Sequence, residues 1–344
     1  MRLIFVGFGT VGQGLAELLV EKKDLLSRRY GLEPVVVGIS DEMKGSVINP
    51  AGIDLTEPLD LLKSEKSLCD MEIGKYDGNA LDMIRDAGAD VMLEATYTNI
   101  KTGEPATSHI KAALEKGLHV VTTNKGPLAL HYQDLVQIAE ATQVQFLFEG
   151  TVMSGTPLLN LLRETLAGST IAEIKGILNG TTNYILTRME EGLPYEDALK
   201  KAQELGYAEA VPDADVLGWD ALAKVTILAK VVYGSNADPF DYPCQGITEI
   251  TASAIEEAKS RGKRFKLIGK VWSEKGIAKA SVAPEEVDVS HPLASVMGAT
   301  NAVTVTTDTL GDVTVVGPGA GRKETGFSML IDLIKIASEI RRKR

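Results

Sequence analysis

Short apolar runs at residues 3–6, 35–39, 91–93, 120–121 and 144–148 alternate with amphipathic stretches through the first half of the chain. Each run has the length of a buried strand, and between the later ones apolar positions recur at helical spacing, as at Leu135, Ile138 and Ala139. Such alternation predicts α/β architecture, a doubly wound parallel sheet with helices on both faces. Residues 40–75 break the rhythm with Pro50, Gly52, Pro58 and several acids, and read as a long connection with some helix. Beyond Gly150 the pattern changes. Helices are expected at 157–166, 195–205 and 216–232, the last ended by Gly234, with a strand at 171–178. From residue 265 onward, β-rich runs at 265–272, 303–307 and 313–316 predict a mixed or antiparallel sheet, and a last helix is expected at 325–340. The expected division is a first domain over 1–150, a second α+β domain over 151–310, and a segment 311–344 whose helix packs back on the first.

The first strand runs directly into Gly7-Phe8-Gly9-Thr10-Val11-Gly12, and an amphipathic helix with Leu15, Leu18 and Leu19 follows. Strand, G-x-G-x-x-G turn and helix together are the context that a dinucleotide-binding turn requires. Gly7 permits the tight turn, Gly9 lets a pyrophosphate approach the backbone, and Gly12 allows close helix–strand packing. The helix N-terminus supplies free N–H donors and the positive end of a dipole. The first domain is therefore expected to be Rossmann-type and to bind NAD or NADP. An acid at the end of the second strand binds ribose hydroxyls in NAD enzymes, whereas a nearby cation suits NADP. Ser40, Asp41 and Lys44 all stand near that position, so the residues leave the preference open. Two further loops fall at the carboxyl ends of expected strands, where open α/β sheets bind ligands. One contains Glu94 and Thr96, the other Asn124, Lys125 and Pro127.

Composition narrows the partners. Lys+Arg of 36 against Asp+Glu of 47 gives a net charge of −11, without a basic arm for nucleic acid. No apolar run approaches the roughly 18 residues needed to cross a bilayer, and residues 1–6 lack the apolar stretch of a signal peptide, so the expected compartment is the cytoplasm. The basic tail 341–344 reads as a complement to a helix dipole. Cys69 and Cys244 are too few for a disulfide scaffold or a thiolate metal site.

The stretch 205–224 holds the densest chemistry, with Glu209, Asp213, Asp215 and Asp220 followed by Lys224. Asp220 and Lys224 are four residues apart and share one helix face. Around them Ala221, Ala223, Val225, Ile227, Leu228 and Ala229 make that helix apolar nearly all round, so it is expected to be buried and its polar groups to need partners. Buried carboxylates beside a lysine can bind an ammonium while the lysine moves a proton, because desolvation lowers a lysine pKa toward neutrality. The same residues are also compatible with a solvated ion pair worth a few tenths of a kcal/mol. Asn179-Gly180-Thr181 follows a strand and opens a helix, a geometry that can grip a carboxylate. Residues 149–156 read either as a linker or as a carbonyl-rich loop for a hard cation, with Glu149 as its charged ligand.

These blocks occur in the order GFGTVG, TTNKGP, EGTVMSGTP, LNGTTNYIL, LGYAEAVPDADVLGWDALAKVTIL and GPGAG, and together they resemble the homoserine dehydrogenase family across nearly the whole chain. The resemblance implies reversible NAD(P)-linked interconversion of L-homoserine and L-aspartate 4-semialdehyde, a step toward threonine, methionine and isoleucine. It also implies an acid–base lysine at Lys224 with Asp220 as partner, and Lys125 assisting at the reacting oxygen. Glu209 and Asp215 would bind the polar ends of the substrate, with Gly180, Thr181 and Tyr207 completing that pocket. Phe8, Thr10, Val11, Ser40, Thr96 and Gly321 would join the glycine turn around the cofactor. Glu149 with Val152, Ser154 and Thr156 matches a monovalent-cation loop, usually sodium. A substrate-binding and dimerising second domain, a homodimer, and a form without a C-terminal regulatory domain are implied as well. A thiol-dependent semialdehyde dehydrogenase is the nearest rival, and it would need an activated Cys69 or Cys244, neither of which has a histidine beside it in sequence. A dinucleotide-sensing module without turnover is the rival from outside the enzymes.

Overall fold

The computed structural model describes residues 1–72 and 74–343, so that Arg344 of the basic tail, and the side chain of Lys343, lie outside the described residues. In chain order the first elements are β1 (Arg2–Val6), α1 (Thr10–Glu21), β2 (Val35–Asp41), β3 (Gly45–Ile48), α2 (Thr56–Lys63), α3 (Ala80–Asp86), β4 (Val91–Glu94), α4 (Ala106–Glu115), β5 (His119–Thr122), α5 (Lys125–Ala141) and β6 (Phe146–Leu147). Then follow β7 (Ile171–Ile177), α6 (Gly180–Glu190), α7 (Tyr195–Glu204), α8 (Asp213–Val216), α9 (Trp219–Tyr233), α10 (Ala252–Ser260), β8 (Lys263–Glu274), β9 (Ile277–Asp288), β10 (Thr300–Thr307), β11 (Gly311–Pro318) and α11 (Arg322–Lys343). Two compact units result, Met1–Gly155 with Gly321–Arg344 and Thr156–Ala320. The breaks thus fall at 155/156 and 320/321 rather than at 150 and 310.

The first unit carries a six-stranded sheet in the order β3-β2-β1-β4-β5-β6 among the described residues. Every pairing is parallel except β2 with β3, so the segment expected only as a connection supplies an antiparallel edge strand. Its signal was too short to read, since one residue of the four, Val47, is buried. The turn before it is held by Asp41, whose Oδ1 accepts from the N–H groups of Met43 (3.1 Å) and Lys44 (3.0 Å). The core of this unit joins Leu3 and Phe5 of β1 and Leu15 of α1 to Met329, Leu330, Leu333 and Ile336 of α11. A fully buried leucine contributes about 2 kcal/mol, so the last helix is docked on the sheet by several such residues. Its approach to α1 depends on missing side chains: a Cβ on Gly14 would lie 2.1 Å from the Arg322 carbonyl oxygen, and one on Gly326 2.5 Å from the Leu15 nitrogen.

The second unit carries a five-stranded sheet in the order β11-β10-β7-β8-β9, antiparallel at every pairing. The alternatives of a mixed or antiparallel sheet thus resolve to the latter. Strand β9 was not anticipated, because Pro284 interrupts its run; it is tolerated on an edge, where a missing N–H breaks no second ladder. Helix α10 was also missed. The helix expected over 216–232 begins instead at Trp219, with Gly218 at φ +84° separating it from the short α8. The helix expected at 157–166 is present over 159–165, its second part a π-helical turn at Leu161–Thr165 closed by Leu166 N–H donating to the Leu161 carbonyl (2.9 Å).

One charge inside this unit makes a measurable demand. Lys266, 1% exposed, donates to Val296 O (2.6 Å) and Asn183 Oδ1 (3.0 Å). Burial pulls its pKa down to about 8, with the nearby Glu190 opposing and Arg264 reinforcing the shift. The ordinary lysine value is about 10.4, so between pH 8 and that value the unfolded chain binds more protons than the folded one. Stability is therefore expected to rise with pH across this window by up to about 3 kcal/mol. Urea unfolding of wild type and Lys266→Met checks it, because the difference between them should grow in favour of wild type from pH 8 to 10. A constant difference would contradict the linkage.

Candidate active site

The glycine turn of the first unit is built as its spacing requires. Gly7 sits at φ +91°, and a Cβ there would lie 2.5 Å from the carbonyl carbon and oxygen of Ala95. Nothing stands within 4 Å of the Cβ position of Gly9, whereas a Cβ on Gly12 would meet the Gly7 carbonyl oxygen at 2.6 Å. The turn is thus closed at its ends and open at its middle, where a pyrophosphate needs room. Thr10 and Val11 open α1. Phe8 is wholly buried and packs edge-on against Phe5 at 5.3 Å, so only its backbone faces the turn. Its N–H donates to Asp41 Oδ2 at 2.8 Å, which places a carboxylate at the end of β2 against the turn. Ser40, in contrast, is buried with its hydroxyl accepting from Ser46 Oγ (3.0 Å). Gly321 lies just before α11 at φ +138°.

The loops after β4 and β5 are joined by a group that the sequence showed only as a loop member. Glu94, 0% exposed, accepts at Oε1 from the Thr96 N–H (3.1 Å) and the Thr96 hydroxyl, and at Oε2 from the Thr122 hydroxyl (2.9 Å). Thr122 Oγ1 accepts in turn from the Asn124 N–H (3.0 Å). Asn124 caps α5 by accepting from the Gly126 N–H (3.2 Å), and donates from Nδ2 to Tyr97 O (2.9 Å). Lys125, the first residue of α5, is half-buried beside this cap. Burial pushes the Glu94 carboxyl above the usual carboxylate range, and its Thr96 and Thr122 donors oppose the shift. An acid ending a wholly buried strand was the available signal; that its donors converge was not visible.

In the second unit, α6 begins straight after β7, with Asn179 as its cap. Asn179 Oδ1 accepts from the Thr182 N–H (2.9 Å), and Nδ2 donates to both Asp215 Oδ1 (2.6 Å) and Asp220 Oδ2 (2.9 Å). Lys224 Nζ donates to Asp220 Oδ2 (2.7 Å) and to the Leu178 carbonyl (2.5 Å). With side chains only 8% and 17% exposed, Lys224 and Asp220 are not a solvated surface pair. An ammonium has three N–H donors, and two of those on Lys224 are committed within the described residues. Burial, then the charge of Asp220, raises the Asp215 pKa, while Asn179, Lys224 and Thr181 oppose. Thr181 donates to the Tyr207 carbonyl (2.6 Å), and the Tyr207 ring lies 5.1 Å from that of Tyr184. Gly180 and Thr181 form the N-terminus of α6, against which the buried Asn301 amide rests, its Oδ1 3.4 Å from the Cβ position of Gly180. Glu209 is exposed, and its carboxylate stands outside the network. That Asn179 joins the two acids is not visible in the sequence, which shows it only at the strand-to-helix junction.

The two remaining motifs are less chemically loaded. Glu149 is buried, and after Val152 the loop holds two consecutive left-handed non-glycine residues, Met153 (φ +62°) and Ser154 (φ +53°). Strain of this kind persists where surrounding structure imposes it. One carboxylate with backbone carbonyls is a donor set that suits a hard cation. The Ser154 hydroxyl pairs with Thr325 (2.7 Å), and in the second unit Thr156 donates to Pro318 O (2.9 Å). Of the thiols, Cys244 donates to Leu217 O at 3.5 Å and its pKa is raised by burial, opposite to what a nucleophilic thiolate needs. Among the described residues no helix is long and apolar enough to cross a membrane.

Comparison with known proteins gives a consistent result. A family model for homoserine dehydrogenase matches residues 157–334, and one for the homoserine dehydrogenase NAD binding domain matches residues 7–149. The chain is 45% identical over 344 residues to an NAD(+)-dependent homoserine dehydrogenase of Pseudomonas canavaninivorans, covering 100% of this chain and 98% of the relative. It is 42% identical over 337 residues to a homoserine dehydrogenase of Methanocaldococcus jannaschii, covering 98% of both. The solved structure of a hyperthermophilic archaeal homoserine dehydrogenase in complex with NADPH superposes with a TM-score of 0.85 at 32% identity, covering 98% of each chain.

Proposed function

Since this chain belongs to the homoserine dehydrogenase family and is an NAD(P)-dependent oxidoreductase acting on a CH–OH group, we propose that it interconverts L-homoserine and L-aspartate 4-semialdehyde, in the supply of threonine, methionine and isoleucine. The observation that carries this reading is Lys224, buried, held by Asp220 and Leu178, with a third N–H to give. The nicotinamide, when bound, exchanges a hydride with the substrate carbon. Lys224 then supplies the proton to the carbonyl oxygen in reduction and takes it from the hydroxyl in oxidation. Asp220 keeps the lysine aimed, and Asn179 keeps Asp220 and Asp215 together. Asp215, with Glu209 and Tyr207, takes the substrate's ammonium end, and Gly180 and Thr181 at the N-terminus of α6 take its carboxylate. Lys125 assists at the reacting oxygen. Gly7 to Gly12 would hold the cofactor's pyrophosphate, and Thr96 and Gly321 would contact the cofactor beside it. Glu149 and the carbonyls of Val152 and Ser154 would hold a monovalent cation, sodium, which would neutralise the buried carboxylate. The homodimer belongs to the same reading.

The position of Asp41 favours NAD over NADP in this reading. Its carboxylate is fixed against the glycine turn by Phe8, where a 2′-phosphate would meet like charge that Lys44 Nζ, 3.6 Å from Asp41 Oδ1, offsets only in part. Adding L-homoserine to the purified protein with NAD or NADP at alkaline pH should produce reduced nicotinamide with both. The expected kcat/KM is higher with NAD by on the order of tenfold or more. Equal use of NADP would refute the role given to Asp41, and no reduction with either cofactor would refute the proposed reaction.

A further inference from the structure

Glu94 ends β4, and β4 pairs with β1 so that Glu94 lies opposite Val6, the residue before the glycine turn. The two loops touch directly, since the Ala95 N–H donates to Val6 O at 2.8 Å. Strand order reverses between β1 and β4, which makes this the crevice where a doubly wound sheet binds its ligand. The chain also indicates which half of the ligand comes near. With Asp41 on the ribose side at the end of β2 and the pyrophosphate at the start of α1, the nicotinamide half would extend toward the ends of β4 and β5, where Glu94 and Thr122 lie.

Both Glu94 oxygens are met by donors, Oε1 by the Thr96 N–H and Oε2 by the Thr122 hydroxyl. Thr122 is oriented for that bond by accepting from Asn124. Burial raises the Glu94 pKa and these donors oppose the shift, because an acceptor-only group surrounded by donors is the environment that favours an ionised carboxylate. The nicotinamide ring is cationic when oxidised and neutral when reduced, and the pyrophosphate is common to both forms. A buried anion near the ring thus distinguishes the two redox states, while its repulsion of the pyrophosphate cancels between them. We propose that the Glu94 carboxylate, held by Thr96 and Thr122, makes the first unit bind NAD+ more tightly relative to NADH than a neutral group at that position does. This rests on the dinucleotide reading of the first unit. It makes Glu94 a positioning residue of an electrostatic kind, because it reaches the ring through space and not by contact.

The test compares dissociation constants for NAD+ and NADH at pH 8.5, by calorimetry, in wild type, Glu94→Gln and Glu94→Asp. The Kd ratio NAD+/NADH should rise about tenfold in Glu94→Gln, the scale of one charge acting at an effective dielectric near 20. In Glu94→Asp, which keeps the charge, the ratio should stay near wild type even if both affinities fall. A purely structural role would weaken both forms together, and an unchanged ratio in Glu94→Gln overturns the proposal. Should that variant not fold, Thr122→Val removes one donor from the charge and should move the ratio about twofold the same way; no movement there overturns it equally. Wild type binding neither form would overturn the dinucleotide reading and this inference with it.

Discussion

Lys224→Met is expected to lower turnover of L-homoserine by about 10²–10⁴-fold, the usual contribution of a general acid–base group, with NAD(P)H binding retained. Methionine preserves much of the buried stem, so the loss should fall on proton transfer rather than packing. The two bonds that hold the ammonium, to Asp220 and to the Leu178 carbonyl, vanish together in the variant. Asp220 retains its bond from Asn179, which keeps the pocket in shape. Steady-state kinetics with a parallel nicotinamide fluorescence titration checks the claim. A variant that loses NAD(P)H binding as well, or one that turns over within a few-fold of wild type, would contradict the role.

Gly7→Val should remove dinucleotide binding and destabilise the first unit. A β-branched residue is a steric outlier at φ +91°. Its Cβ would also press on the Ala95 carbonyl at 2.5 Å and the Thr96 nitrogen at 2.6 Å. Strained backbone and overpacking each cost about 1–3 kcal/mol, so a loss on the order of 3 kcal/mol is expected. The displaced loop also carries Thr96 and, through Glu94 and Thr122, the cap of α5. Affinity for NAD(P)H should therefore drop by about a hundredfold or more. Thermal unfolding followed with and without NAD(P)H provides the check, because wild type should be stabilised by the ligand and the variant should not. A variant that is still stabilised by the cofactor would show that the turn tolerates the side chain.

Signals confined to a few residues of chain were legible in the sequence. The strand–glycine turn–helix at Gly7 to Gly12, the helix opening after Asn179, and the shared face of Asp220 and Lys224 all follow from local geometry. Alternating apolar runs likewise predicted the parallel part of the first sheet. Local rules failed where a run was short or interrupted. Strand β3 has one buried residue, β9 contains a proline that only its edge position excuses, and Gly218 delays to Trp219 a helix expected from Val216.

Only the tertiary structure decided which polar groups meet. Asn179 joins Asp215 and Asp220 across 36 and 41 residues of chain, and the Leu178 carbonyl reaches Lys224 across 46. Glu94 acquires Thr122 across 28 residues, and Asp41 acquires the Phe8 amide across 33. Periodicity and turn chemistry specify backbone conformation over a turn or two, and so determine which elements form. Partners of buried charges are chosen by packing, because burial makes an unpaired polar group costly wherever along the chain its partner lies. The sequence by itself thus determined a dinucleotide turn and an acid–lysine helix, and the folded chain determined that the lysine is held at two points and that a buried carboxyl group joins the loops after β4 and β5.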